Sequence, residues 1–122
     1  MTATLRTQEN EGVLVVYFTD AKILDDSRIQ QIGKDLVEVT ANAVEKKLVL
    51  NFHGVNFMSS AMIGKLVLLN NKCKKEEIAL KLSDISAEIF QVFKIMKLNK
   101  IFDIQKDEEK AVQSFNKKGW FG

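Results

Sequence analysis

The stretch from Lys47 to Cys73, KLVLNFHGVNFMSSAMIGKLVLLNNKC, changes its period in the middle. Its first six residues, Lys47 to Phe52, form a short apolar run of the kind that makes a buried strand. HGVNFM reads as a loop. From Ala61 to about Lys75 the apolar positions Met62, Leu66, Leu69 and Cys73 fall on one stripe, with Lys65, Lys72 and Lys75 on the outer side, which is the pattern of an amphipathic helix. Ser59 and Ser60 sit at the junction. Ser59 reads as the N-cap, accepting a backbone N–H in a bond worth about 1 kcal/mol against alanine. That accounts for one serine. Ser60 then falls in the first helical turn, where alanine has the better propensity. Either it is a bystander beside a cap, or it is a switch. A phosphate at a positive helix end is favoured by unpaired N–H groups and the dipole, and its charge of about −1.5 to −2 changes a surface without unfolding the domain. The residues alone leave both readings open.

Outward from this stretch the chain alternates strands and helices. ATLRTQE reads as a short edge strand, QENEG as a turn with Gly12 free to take positive φ, and VLVVYF, Val13 to Phe18, as a buried strand. In the segment that follows, Ser27 with Gln30 three residues on is a capping-box pattern. Ile29, Ile32, Leu36, Val39 and Ala43 mark one apolar helical face running toward the Lys46–Lys47 pair. Beyond Cys73, IALKL (Ile78 to Leu82) is a strand. Ser86 opens a helix with Ile89, Phe93 and Met96 inward, Ile101 to Ile104 is a short strand, and Asp107 caps a last helix carrying Ala111, Val112 and Phe115. The fold class expected is α/β: one domain over residues 1–122, with a four- to five-stranded mixed sheet and about four helices, mostly parallel because strands and helices alternate. The first strand pairs antiparallel through QENEG.

The bulk numbers narrow the function. A chain of 122 residues, 46% hydrophobic and 28% charged, buries enough surface to need no metal or disulfide staple. A net charge of +2 argues against direct nucleic-acid binding, which concentrates basic charge on one face. One cysteine, no signal-peptide core and no apolar run of membrane-spanning length point to a reducing cytoplasm and no membrane. His53 is the only histidine and reads as a loop residue. Cys73 reads as packing, the glycines are isolated rather than phosphate-cradling, and Asp25–Asp26 supply negative charge at a helix N-terminus. No nucleophile, base and oxyanion hole assemble. The expectation is no enzyme, no catalytic residue, no cofactor and no metal.

The same stretches resemble the STAS domain family, specifically its anti-sigma factor antagonists. The resemblance rests on residues 47–73 and on IALKLSDISAEIFQVFKIMKLNKIFDI, and covers nearly the whole chain. The family opens a helix with a D-S-[ST]-G-L-G-type motif, matched here by Ser59-Ser60-Ala61-Met62-Ile63-Gly64. The family's phosphorylated serine falls on Ser60 and its final glycine on Gly64. Leu24-Asp25 resembles the Leu-Asp that lies near the phosphoserine. Two positions depart: the family's aspartate is Ser59 here, and a glycine is Met62. By this resemblance the protein binds an anti-sigma factor that is also a serine kinase, is released when Ser60 is phosphorylated (Ser59 being the alternative acceptor), and is reset by a serine phosphatase. Asp25, Met58, Ser59, Ala61 and Met62 are the expected partner-binding residues. The rival readings are a STAS interaction module that binds constitutively and a ligand-sensing module, which needs a real pocket.

Overall fold

The computed structural model describes the backbone of residues 3–120 and the side chains of residues 3–115. Five strands form a mixed sheet in the order β1-β2-β4-β6-β7. β1 (Leu5–Asn10) and β2 (Val13–Phe18) make an antiparallel hairpin, and β4 (Lys47–Asn51), β6 (Ala79–Ser83) and β7 (Asp103–Gln105) add in parallel. The hairpin loop is Glu11-Gly12, with φ of 53° and 83°. Two consecutive positive φ values match the right-handed twist of the flanking strands, and glycine takes the second at no steric cost.

Alternation along the strands divides the core. Val16, Leu48, Leu50 and Leu82 face a layer made of α1 (Asp26–Thr40), α2 (Ser60–Lys75) and α3 (Ala87–Ile95). Val13, Val15 and Val49 face α4 (Glu108–Trp120), through Ala111 and Val112. A period of two along β4 puts Leu48 and Leu50 on one side and Val49 on the other. The expected helical stripe of α2 is buried as read: Met62, Leu66, Leu69 and Cys73 are all at most 3% exposed. Burial, and then the Glu76 carboxylate, push the Cys73 thiol up to about 11. Little thiolate forms at neutral pH, so Cys73 is expected to react with thiol reagents far more slowly in the native state than in denaturant. Native labelling as fast as the denatured control would mean that this face of α2 is open.

Several boundaries differ from the sequence expectation. The last strand is β7 (Asp103–Gln105) rather than Ile101 to Ile104, because a 3-10 turn over Leu98–Lys100 carries the chain through an exposed Ile101 first. Asp25, not Ser27, caps α1: its carboxylate accepts from the Arg28 backbone N–H at 3.1 Å and from the Ser27 hydroxyl at 2.6 Å. A carboxylate with two donors outcompetes the serine hydroxyl, so the helix starts two residues earlier. α1 also ends at Thr40, where the Thr40 hydroxyl donates back to the Leu36 carbonyl; Ala43 and the Lys46–Lys47 pair lie beyond it. In α3, Met96 is 44% exposed rather than inward. The helix stops at Ile95, Lys97 takes a left-handed φ of 61°, and the turn brings Leu98 into the core instead.

The HGVNFM segment is not only loop. It contains β5 (Phe57–Met58), which pairs in parallel with β3 (Lys22–Ile23) as a separate two-stranded ribbon. Ile23 and Met58 are paired in register, and the Ser59 N–H donates to the Ile23 carbonyl at 3.0 Å. Phe18, at the end of β2, stacks on Phe52, just past β4, with ring centroids 4.8 Å apart.

Candidate functional site: two helix starts held side by side

The β3–β5 ribbon sets the geometry of the site. Asp25 lies two residues past Ile23, and Ser60 two residues past Met58. Because Ile23 and Met58 pair in parallel register, the ribbon delivers the N-termini of α1 and α2 to the same end of the molecule. Ser59 has extended φ and ψ of −73° and 164°, and its hydroxyl accepts from the Met62 N–H at 3.4 Å. It is therefore the cap expected from sequence, through a long bond whose loss costs at most about 1 kcal/mol.

Ser60 differs from Ser59 on every point that matters for modification. It is the first residue of α2 and is exposed, whereas Ser59 is half-buried. No described residue engages its hydroxyl by hydrogen bond. The helix end around it is also uncompensated. α1 has Asp26 in its first turn, α3 has Glu88 and α4 has Glu108 and Glu109, but the first turn of α2 has no acidic residue. The partial positive charge of that terminus is met by no side-chain anion of its own turn.

Asp25 and Ala61 are exposed, as a contact surface requires. The Ser27 hydroxyl and the Arg28 amide hold the Asp25 carboxyl below its usual range, so it is ionised at neutral pH. Met58 and Met62 do not belong to that surface: they are 5% and 0% exposed. Met58 faces the core from the ribbon, and Met62 lies on the buried stripe of α2 three residues after the cap. The apolar groups that do reach solvent here are Leu24 at 50% and Phe57 at 49%. Sequence reasoning names Leu24 only through the Leu24-Asp25 pair, and Phe57 not at all, although Phe57 is adjacent to Met58.

A second polar cluster sits on the α4 side of the sheet. Glu108 accepts from the Tyr17 hydroxyl at 2.7 Å and from the side-chain amides of Asn10 and Asn51, each at 3.0 Å. Burial pushes its carboxyl up, but the three bonds together outweigh that and hold it below the usual range. Tyr17 is pushed up to about 12, by burial first and then by the Glu108 carboxylate. This cluster ties α4 to β1, β2 and β4. Among the described residues no group of three or more His, Cys, Asp or Glu side chains is placed to hold a metal ion. No helix among them is long and apolar enough to cross a membrane.

Comparison with known proteins gives this arrangement a context. The family model of the STAS domain matches residues 4–111. An anti-sigma-factor antagonist (STAS) domain protein from Planctomyces limnophilus superposes with a TM-score of 0.79 at 17% identity, over 92% of this chain and 97% of that one. A serine-to-glutamate variant of RsbS from Moorella thermoacetica gives 0.79 at 14% identity, over 96% and 98%. The Bacillus cell-fate determinant SpoIIAA, in its phosphorylated form, gives 0.66 at 16% identity, over 91% and 98%. At these identities the likeness is one of fold.

Proposed function

We propose, since this chain belongs to the STAS domain family, that it is an anti-sigma factor antagonist whose binding surface is the paired helix starts and whose switch is Ser60. The observation that carries the reading is the exposed Ser60 hydroxyl, bonded to no described residue, on a helix start with no acidic residue in its own turn, which the ribbon holds at the same end of the molecule as Asp25, Leu24 and Phe57. The partner is an anti-sigma factor with serine kinase activity, and a serine phosphatase reverses the modification. Unmodified, the two apolar side chains supply contact area that water gives up readily, and Asp25 supplies a fixed charge to orient the partner. A phosphate on Ser60 brings about −1.5 to −2 charges to the same patch. The helix end tolerates that charge, so the fold does not change. The interface does not tolerate it, because burying the dianion against a partner costs more than the contacts return unless a cation meets it. In this reading the chain is regulatory rather than catalytic.

Two features of relatives support this reading. SpoIIAA has been solved phosphorylated, and the RsbS structure carries glutamate in place of a serine. Met62 in place of the family's glycine is no obstacle, because its side chain points into the core rather than at an approaching kinase. Ser59 is the weaker acceptor, since its hydroxyl is half-buried and committed to the cap. The test is mass spectrometry of the chain purified from its native cell, which is expected to place phosphate on Ser60. A chain that carries none under any growth condition, yet still binds its partner, would make it a constitutive interaction module.

A further inference from the structure

α1 and α2 pack side by side over the sheet, and their solvent side is not closed. A groove of about 490 Å³ runs between them. Its floor is Leu36 and Leu69, 2% and 3% exposed, and its walls are Val37 and Leu68, 44% and 64% exposed. The notch in α1 is Gly33. A Cβ there would lie 3.1 Å from Cδ of Lys65, so the missing side chain lets the Lys65 stem lie across α1. An exposed leucine and valine flanking an apolar floor leave a concave strip of apolar surface in water between the two helices.

The rim is mainly basic. Lys34, Lys65 and Lys72 line it against a single carboxylate, Glu38. Lys65 donates to the neutral Gln30 side chain at 3.0 Å, and Lys72 pairs with Glu76 of its own helix. Neither Lys34 nor Lys65 meets a carboxylate at ion-pair distance among the described residues. The lining residues span positions 30–38 of α1 and 65–72 of α2. At 1.5 Å per residue that is about 12 Å, or two helical turns.

We propose that this groove is a docking site for an amphipathic helix of a partner protein, one whose apolar stripe is flanked by acidic residues. A stripe repeating at i, i+3 or i+4, and i+7 has the length of the groove and would lie on Leu36 and Leu69 between Val37 and Leu68. Its acidic flanks would meet the three rim lysines. A second copy of this chain fits poorly, because a self-complementary contact sets the same lysines against each other. A single alkyl chain fits poorly as well, because walls this open would leave it half in water. The groove is distinct from the switch: Leu68 is eight residues beyond Ser60 on α2, about 12 Å along the axis. A partner could occupy it whatever the state of Ser60.

The probe is a synthetic 18-residue helical peptide with a leucine stripe flanked by glutamates, titrated into the isotopically labelled chain. Amide shifts are expected to cluster at residues 30–38 and 65–72. The same peptide with lysines in place of glutamates is expected to bind at least 10-fold more weakly, the difference shrinking as salt is raised. Leu68→Ser and the double variant Lys34→Glu/Lys65→Glu should each weaken binding about 10-fold. These side chains are exposed or half-buried, so the variants are expected to fold, which circular dichroism checks. Ser60→Asp should bind the acidic peptide as the wild type does. No binding, equal binding of both peptides, or shifts elsewhere overturn the proposal. So does a dimer in sedimentation that Leu68→Ser dissolves, because the groove then belongs to a second copy.

Discussion

Ser60→Ala is expected to take up no phosphate from the kinase encoded nearest this gene, and to keep binding that kinase. The first half follows from chemistry: the acceptor oxygen is gone, and the remaining serine of the pair is half-buried and holds the cap of α2. The second half follows from the site's physics. The Ser60 hydroxyl bonds to no described residue, so its loss removes nothing from the fold, and alanine favours a first helical turn slightly more than serine does. On the proposed reading, binding rests instead on Leu24, Phe57 and Asp25. For the wild type, phosphorylation is expected to weaken binding by about 10- to 100-fold, the size of a typical coupling free energy between two events on one surface. Ser59→Ala is the control. It should still be phosphorylated, at the cost of at most about 1 kcal/mol in stability from a capping bond 3.4 Å long. Loss of incorporation in Ser59→Ala with retention in Ser60→Ala would move the acceptor by one residue. Loss of binding in Ser60→Ala, with the fold intact, would mean that the hydroxyl is a contact and not a switch.

What could be read before the structure was what neighbouring residues decide. Val13 to Phe18 and Lys47 to Phe52 are strands because branched and aromatic side chains fill a pleated, two-sided core, and the structure keeps both runs with one residue trimmed from the second. Ser59 is legible as a cap because a short acceptor before an apolar helical period has few other uses. The errors come where local chemistry offered two candidates. Asp25 and Ser27 can both cap α1, and only the three-dimensional arrangement shows the serine donating to the aspartate. Met62 fits the buried stripe by its period and the partner surface by its place in the motif, and a side chain cannot serve both. The β3–β5 ribbon was invisible because two residues carry no period, yet it is what aligns Asp25 with Ser60. The Glu108 cluster was invisible for another reason: its bonds join residues 57, 91 and 98 positions apart, a separation that no pattern along the chain reports.

That cluster carries the largest stability effect expected for a polar substitution here. In Glu108→Ala, the Tyr17 hydroxyl and the amides of Asn10 and Asn51 lose their common acceptor together. Asn51 is 5% exposed, so water replaces its bond poorly. Hydrogen bonds to an ionised group contribute about 1.5–3 kcal/mol each in buried settings. Partial exposure of the other donors brings the expected loss to about 3 kcal/mol, with a fall in melting temperature on the order of 10 °C for a chain of this size. The pH dependence has a definite sign. The Glu108 carboxyl titrates lower in the folded chain than in the unfolded one. Its contribution is therefore complete above the unfolded value of about 4.3 and is lost as pH falls through the folded one. Tyr17 runs the other way. Raised to about 12, it contributes below its unfolded value of about 10 and loses that contribution as pH climbs toward the folded one. Wild-type stability owed to the pair is thus greatest between those limits, and Glu108→Ala should flatten both edges. Tyr17 is the only tyrosine, so an ultraviolet titration reads it without ambiguity. In the variant it should titrate nearer its ordinary value, although burial still holds it somewhat above. A loss of α4 packing alone would lower the melting temperature and leave the two pH edges as steep as before. A variant that melts within about 1 kcal/mol of the wild type, with Tyr17 still titrating near 12, would mean that the three donors find other acceptors and that α4 is held to the sheet by the apolar contacts of Ala111, Val112 and Phe115.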